Sequence, residues 1–347
     1  MKENFSKYII IGAGLSGLTS AYKLFGKGVS DFRVLESRDC IGGRILTQNG
    51  IDFGATWFQT HHEAVIELLN ELGIEKYHQY NKGKSVLVYS TMAPEHYFEN
   101  DPNTPAAYRI KGNSQALIQA LAKPVLDKIQ TNTNVLSISE TEDGVRVETN
   151  KGVFYGEKVI VTIPPKIATR ISFSPELPVE VGAVMDKTHT WMSNAIKVGL
   201  TFKEPFWRNK NFSGMVIGQV GAVTELYDHN DAENSHFALM GFVNEGLRDT
   251  SEENRKQRIL DYLSKYLGAE VLNYLTYEEK DWSKDRHTSC ETIKSIYMSP
   301  SYGNPVFAKG YLNGKLWFSG AETSLVHGGY MDGAIISGIN AVQKIMG

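Results

Sequence analysis

Residues 8–36 read YIIIGAGLSGLTSAYKLFGKGVSDFRVLE, and the organisation of the chain is worked outward from this stretch. Tyr8 to Ile11 make a short apolar run that stops at Gly12. Leu18, Tyr22 and Phe25 then recur at helical spacing, and Phe32 to Glu36 resume an extended apolar pattern. The reading is strand, turn, helix, strand. Gly12, Gly14 and Gly17 form G-x-G-x-x-G at the turn, where glycine permits the tight bend and lets a pyrophosphate approach the positive end of the helix. Glu36 makes this spacing more specific. It ends the next strand, nineteen residues beyond Gly17, where a carboxylate accepts hydrogen bonds from ribose hydroxyls and repels a 2′-phosphate. A dinucleotide lacking that phosphate is the implied ligand, although glycines that serve only strand–helix packing, beside a solvated acid, would give the same letters.

Composition narrows the partners. The chain has 347 residues, 41% hydrophobic and 22% charged, enough for a large core and two globular domains. A net charge of -3 without long charged runs argues against nucleic acid and against an anionic membrane surface. Cys40 and Cys290, the only cysteines, are too few for a disulfide framework or a cysteine-rich zinc site, and no metal is expected. No segment approaches the roughly 20 apolar residues of a membrane span, and the N-terminal apolar run breaks too early for a signal peptide. A cytoplasmic protein acting on small molecules is the expectation.

Further along, residues 62–72 place Val65, Leu68, Leu69 and Leu72 on one helical face, followed by a strand at 86–89 and a loop rich in Pro and Asn at 91–105. Ser114 to Leu121 read as a helix. Residues 133–165 read as an antiparallel meander with turns at Asp143-Gly144 and Lys151-Gly152. Alternating runs between Ser193 and Val243 predict a second, mixed sheet. Glu252 to Leu267 predict a helix with a capping box of Thr250 and Glu253, Lys315 to Ser319 a strand, and Asp332 to Met346 a final helix.

Gly42, Gly43 and Arg44, in ESRDCIGGRILT, permit a second close backbone approach and supply a guanidinium for phosphate oxygens, with Arg38 nearby. By itself GGR reads more plainly as a turn followed by a surface arginine. Taken together, VLESRDCIGGR, DFGATWF at 52–58, IKVGLTFKEPFW at 196–207 and SGAETSLVHGGYMDGA at 319–334 run in order along most of the chain. In this combination the sequence resembles the flavin monoamine oxidase family, which includes the monoamine and polyamine oxidases.

The resemblance implies an α/β fold: a Rossmann-like FAD-binding domain of discontinuous segments plus a substrate domain with a mixed β-sheet. On this chain the first would comprise 1–75, 109–187 and 284–347, and the second 76–108 and 188–283. By similarity, Gly12, Gly14, Gly17, Glu36, Arg38, Gly42, Gly43 and Arg44 hold the adenosine and pyrophosphate of FAD, and the backbone of Val135 meets the adenine. Gly54, Ala55, Thr56 and Trp57 match the segment along the flavin ring. Gly320, Ala321, Glu322 and Met331 match the closing segment beside the ribityl chain and pyrimidine, where the final helix would aim its N-terminus at the N1 and O2 edge. Lys197 matches the lysine that holds a water beside flavin N5, Trp282 a tryptophan packed near the flavin, and Tyr330 one wall of the aromatic pair that sandwiches the substrate amine.

On residue pattern alone these last three stay open. Alternation puts Ala195, Lys197, Gly199, Thr201 and Lys203 on one strand face, which suits a solvated lysine as well as a buried one. A core tryptophan and an ordinary packed tyrosine would equally account for Trp282 and Tyr330. His61, His62, His189, His287 and His327 are read as surface or structural residues.

The implied activity is FAD-dependent oxidation of an amine C–N bond to an imine by hydride transfer to flavin N5, with reoxidation by oxygen giving hydrogen peroxide. An L-amino acid oxidase or a flavin-dependent desaturase is the enzymatic alternative, and a noncatalytic FAD-binding or redox-sensing protein the alternative of another class. GATWFQ has no arginine after its GA to meet a substrate carboxylate, which favours amines, though Arg208 or Arg286 could supply one.

The chain departs from the family twice. Counting from Trp282, the flavin-linking position falls at Glu291 and the second aromatic wall at Thr292, with Cys290 one place early. FAD held without a covalent bond is preferred over a one-residue shift that brings Cys290 to the ring, and Tyr330 is expected to lack its partner. Between DFGATWF and GNSQALIQAL there are only about fifty residues, enough for one helix, a strand and a loop, where the family inserts a long helical section. Much of the lid is therefore expected to be missing, leaving the flavin face open to a bulky or carrier-borne amine, or covered by a second subunit in a homodimer.

Overall fold

The computed structural model describes residues 4–90, 92–101, 107–289 and 301–347. The opening stretch forms a strand (β1, Tyr8–Ile11), a helix (α1, Leu15–Gly26) and a second strand (β2, Phe32–Leu35) parallel to the first. All four residues of β1 are buried because it lies inside a six-stranded sheet. The order is Gly310–Tyr311, Leu316–Phe318, Lys158–Val161, β1, β2 and Ile129–Gln130, parallel except at the first of these. Successive side chains of a strand point to opposite faces, and β1 divides accordingly. Tyr8 and Ile10 pack with Leu18, Leu117 and Ile335, from α1, the helix Ser114–Ala122 and the C-terminal helix Met331–Met346; Ile9 and Ile11 pack with Val145, Val147 and Phe154 of the antiparallel strands on the other side. The helix Glu63–Leu72 (α2) adds Val65, Leu68 and Leu69 to the helical layer.

The segment 133–165 is a meander only as far as Gly156. Val135–Thr141, Gly144–Thr149 and Gly152–Gly156 pair antiparallel, but Lys158–Val161 pairs in parallel between β1 and Leu316–Phe318. Its Val-Ile-Val run is buried throughout, as a strand covered on both faces requires. The stretch 91–105 also differs from its reading as a loop: His96–Glu99 forms a strand antiparallel to Lys84–Val88. It is an edge strand with mostly exposed side chains, so it lacks the buried alternation that marks a strand in sequence. Residues 91 and 102–106 lie outside the described residues.

The second sheet is mixed, as the 193–243 pattern predicts. Its order is Thr276–Asp281, Ile196–Phe202, Phe237–Val243, Val223–Asp228, Phe212–Gly218, Lys84–Val88 and His96–Glu99. The helix Glu252–Leu267 buries Ile259, Leu260 and Leu263 against it. Its cap is Ser251, whose side chain accepts the Asn254 N–H; the Thr250 hydroxyl instead donates to Leu247 O, so the expected capping box is replaced by one residue's shift. The strand Ile196–Phe202 is buried at all seven positions. Its Lys197 face does not meet solvent because Ile51 and Phe53 pack there: a Cβ on Gly199 would come within 2.7 Å of Ile51 Cδ1.

Candidate active site

A cavity of about 470 Å³ is lined from both sheets, within the roughly 300–1,000 Å³ usual for ligand and cofactor sites. At one end stands Glu36. Its carboxylate accepts the backbone N–H of Ala13 (2.7 Å) and of Arg38 (2.8 Å), tying the glycine turn to the end of β2. The Arg38 guanidinium donates to Asp285 (2.8 Å) and Thr288 (2.9 Å). Burial pushes the Asp285 carboxyl up, but Arg38 and the His287 amide outweigh it and hold it below the usual carboxylate range. Val135 lines the same end.

Gly12, Gly14, Leu15 and Ser16 bring the start of α1 to the cavity wall. No side chain caps this helix and its first turn has no acidic residue, so its first amides and dipole are available to an anion. Gly43 comes up from the opposite side with φ of 60°, and a Cβ there would lie 3.2 Å from Gly14 Cα. Glycine is needed for both the backbone conformation and the approach. Gly17 is different. It does not line the cavity, and a Cβ on it would fall 1.9 Å from Gly12 O, so it serves the packing of α1 against its own turn.

Gly42 and Arg44 continue the wall, and Arg44 is forked onto Glu322, with its second guanidinium nitrogen 3.0 Å from Glu322 Oε2. Glu322 is fully buried and also accepts the Thr190 hydroxyl. Burial alone would raise its pKa; the Arg44 charge and these hydrogen bonds win and hold it below the ordinary value. Glu322 stands behind the lining and positions Arg44, which faces the cavity. The two glycine-rich segments are joined by buried serines: Ser16 Oγ lies 2.8 Å from Ser319 Oγ, and Ser337 Oγ accepts the Gly320 N–H at 2.8 Å.

The other end is aromatic. Gly54, Ala55, Thr56 and Trp57 line it together with Gly320, Ala321, Met331, Lys197, Trp282 and Tyr330. Lys197 Nζ donates to Gly54 O (2.6 Å), Thr56 Oγ1 (3.0 Å) and Asp52 O (3.2 Å), and lies 5.4 Å and 5.0 Å from the ring centres of Trp57 and Phe242. Loss of water on burial lowers its pKa to about 7, against a partial pull from Asp52. As an ammonium all three of its protons are taken by the protein; as a neutral amine it keeps two and presents a lone pair. Trp282 is buried and donates Nε1–H to Phe53 O at 2.8 Å. Tyr330, 47% exposed, immediately precedes the C-terminal helix, which no side chain caps.

Tyr330 does have an aromatic neighbour, Trp191, with ring centres 6.0 Å apart. Positions 290–292, where the flavin-linking residue and second wall were sought, lie outside the described residues. Trp191, Thr190 and Phe242 are the residues that the sequence reading missed. Phe242 stands directly opposite Lys197 in the antiparallel register, so knowledge of that pairing would have found it. Trp191 sits in the aperiodic stretch THTWMSN and carries no such signal.

The cavity thus joins a glycine-walled anion end to an apolar aromatic end, the layout a flavin nucleotide needs, and the tight Gly14–Gly43 approach and uncapped α1 fit its phosphates. The family described as flavin containing amine oxidoreductase matches residues 15–97 and 88–346. The probable flavin-containing monoamine oxidase A of Dictyostelium discoideum is 24% identical over 448 aligned positions, covering 97% of this chain and 96% of the relative. That alignment is longer than the chain, so stretches of the relative have no counterpart here. Amine oxidase [flavin-containing] B of Sus scrofa is 31% identical over 252 positions, 68% of this chain and 46% of the relative. Wild-type putrescine oxidase bound to putrescine shares the fold with a TM-score of 0.85 at 21% identity over 99% of both chains. Cyclohexylamine oxidase from Brevibacterium oxydans IH-35A does so with 0.84 at 19% identity over 98% of both. The chain belongs to the flavin containing amine oxidoreductase family, and is a flavoprotein enzyme acting on amines. Among the described residues no helix is long and apolar enough to cross a membrane.

Proposed function

We propose that the chain binds FAD without a covalent bond and oxidises an amine C–N bond to an imine, with oxygen as final acceptor and hydrogen peroxide as product. The strongest support is the continuity of the cavity from Glu36, past the two glycine turns, to Lys197 and Tyr330. Glu36 would meet the ribose, Val135 the adenine, and Gly12, Gly14, Gly42, Gly43 and Arg44 the pyrophosphate, with Gly17, Arg38 and Glu322 positioning them. The FAD-binding domain would comprise 1–75, 109–187 and 284–347, and the substrate domain 76–108 and 188–283.

Bound there, a flavin would supply the two-electron acceptor for the hydride of the amine's α-carbon, with oxygen as the final acceptor. The chain's own residues do the rest. Trp57, Phe242 and Tyr330 bound an apolar space that disfavours an ammonium and favours the neutral amine. Oxidation to an imine removes one hydride from carbon and one proton from nitrogen only if the amine enters neutral, so excluding the ammonium would be these residues' part in the reaction. Lys197, when neutral, can hold a water through its lone pair, and Met331, at the start of the C-terminal helix, lines the same space, although that helix carries Asp332 in its first turn. Among the described residues, the arginines lining the cavity are Arg38 and Arg44, both assigned above to the nucleotide, which leaves no arginine for a substrate carboxylate and favours amines over amino acids. Tyr330, which lines the cavity and is 47% exposed, supports an open substrate side that suits a bulky or carrier-borne amine or a second subunit.

Acid precipitation tests the cofactor claim: FAD should appear in the supernatant, and flavin that stays with the pellet would overturn noncovalent binding. A peroxidase-coupled assay over a panel of mono-, di- and polyamines should give peroxide with at least one. Turnover of amino acids but of no amine would refute the substrate class.

A further inference from the structure

The loop before α2 carries His61 and His62, and the loop before the C-terminal helix carries His327. One ring nitrogen from each lies within 4.8 Å of the other two. The ring centres are 4.5, 4.8 and 5.2 Å apart. Packing does not demand this, since His61 is exposed and His327 half-buried. His327 also holds a left-handed backbone, φ of 48°, uncommon for a non-glycine residue.

Behind the cluster stands Asp332, 1% exposed. One of its oxygens lies 2.7 Å from His327 Nδ1, and the other accepts the Val65 N–H at 3.0 Å. A neutral His327 therefore donates from Nδ1 to the carboxylate and leaves Nε2 with its lone pair outward, the arrangement that fixes the tautomer of histidines that ligate metals.

We infer that His61, His62 and His327 form a binding site for a divalent transition-metal ion. Three imidazoles with no acidic ligand among them suit Zn²⁺, Ni²⁺ or Cu²⁺ and not Mg²⁺ or Ca²⁺. Ligation at about 2.0–2.1 Å in tetrahedral geometry spaces ligand nitrogens roughly 3.4 Å apart, so nitrogens that lie within 4.8 Å must close by up to about 1.4 Å, which side-chain rotation, freest at the exposed His61, would supply. His62 accepts the Gln59 N–H at Nδ1 (3.1 Å), and ligation through its Nε2 displaces a proton or costs that contact. It is the weakest of the three ligands. None of the three lines the cavity, but the His62 ring centre is 5.3 Å from that of Tyr330. A bound ion would link the loop before α2 to the loop bearing Tyr330 and fix that wall of the cavity without touching the cofactor.

The test is calorimetric titration of the flavin-loaded protein with Zn²⁺ after dialysis against a chelator, with unfolding temperature as a second readout. One ion per chain with micromolar or tighter affinity is expected, together with a higher unfolding temperature. His61→Ala and His327→Ala should each weaken binding at least tenfold, and Asp332→Asn by about 10–100-fold. His61→Ala alters an exposed side chain, so its folding is secure, and His96→Ala, at an edge strand, should bind as the parent does. Substoichiometric binding, or affinity that His61→Ala and His327→Ala leave unchanged, would overturn the site.

Discussion

Replacing Lys197 with methionine removes a buried charge while keeping most of the side-chain volume. The lysine is 5% exposed and its pKa falls from an ordinary 10.5 to about 7, burial being the main cause. Because the folded value lies below the unfolded one, the unfolded chain binds more protons between these two pH values, and the stability of the parent rises with pH across that window. At about 1.4 kcal/mol per unit, keeping the ammonium buried costs on the order of 4 kcal/mol at pH 7 and almost nothing by pH 10.5. The variant escapes this cost but removes the Lys197 donor shared by Gly54 O, Asp52 O and Thr56 Oγ1; the Thr56 hydroxyl, 3.2 and 3.3 Å from the two carbonyls, can still serve one of them, so about 1–3 kcal/mol is lost for the carbonyl left unpaired. These effects oppose each other, so the difference at any single pH is not diagnostic. The slope is. Urea unfolding of both proteins at pH 7, 8, 9 and 10, with equal saturating flavin, should show the parent gaining about 3–4 kcal/mol relative to the variant from pH 7 to pH 10. Other groups titrate in both proteins and cancel. Parallel stability curves would refute the reasoning, since they would mean an ordinary, solvated lysine.

Glu322→Gln strips Arg44 of its carboxylate and should cost about 2–4 kcal/mol at neutral pH, toward the lower end of what breaking a buried pair costs because Arg44 keeps 29% of its side chain exposed. The Glu322 carboxyl is held below its ordinary pKa, so the pair's contribution is present above the unfolded carboxylate pKa and fades as pH falls through the folded value; denaturation of parent and variant should converge in acid. Gly17→Ala places a Cβ 1.9 Å from Gly12 O, which α1 can relieve only by shifting. A loss of roughly 3 kcal/mol and a fall in flavin content are expected, and unchanged flavin content and unfolding temperature would show that the close packing is not required.

The parts of the fold that were legible from sequence are those where local chemistry decides. The Tyr8–Ile11 strand and the α1 helix read correctly because an all-apolar run, a glycine turn and a helical repeat each have one plausible geometry. Lys158–Val161 was misassigned because an apolar run does not say which sheet it joins; that is settled by long-range pairing with Tyr8–Ile11 and Leu316–Phe318. The same limit applied to Lys197. Alternation gave its face, but the burial of that face comes from Ile51 and Phe53, some 145 residues away along the chain. At the site, the glycines and Glu36 announced themselves by spacing, whereas Trp191 and the three-histidine cluster come from loops that only the tertiary fold brings together. The glycine pattern also concealed two roles, since Gly14 meets the cavity and Gly17 meets Gly12.

The central claim, that this cavity holds a flavin which takes electrons from an amine, is tested most directly by anaerobic mixing of the purified yellow protein with amines in a stopped-flow spectrophotometer. The account predicts that at least one amine bleaches the visible flavin absorption in a single turnover, and that admitting oxygen restores it with one equivalent of peroxide. A protein purified with bound flavin that no amine bleaches, while dithionite reduces it fully, would contradict the account.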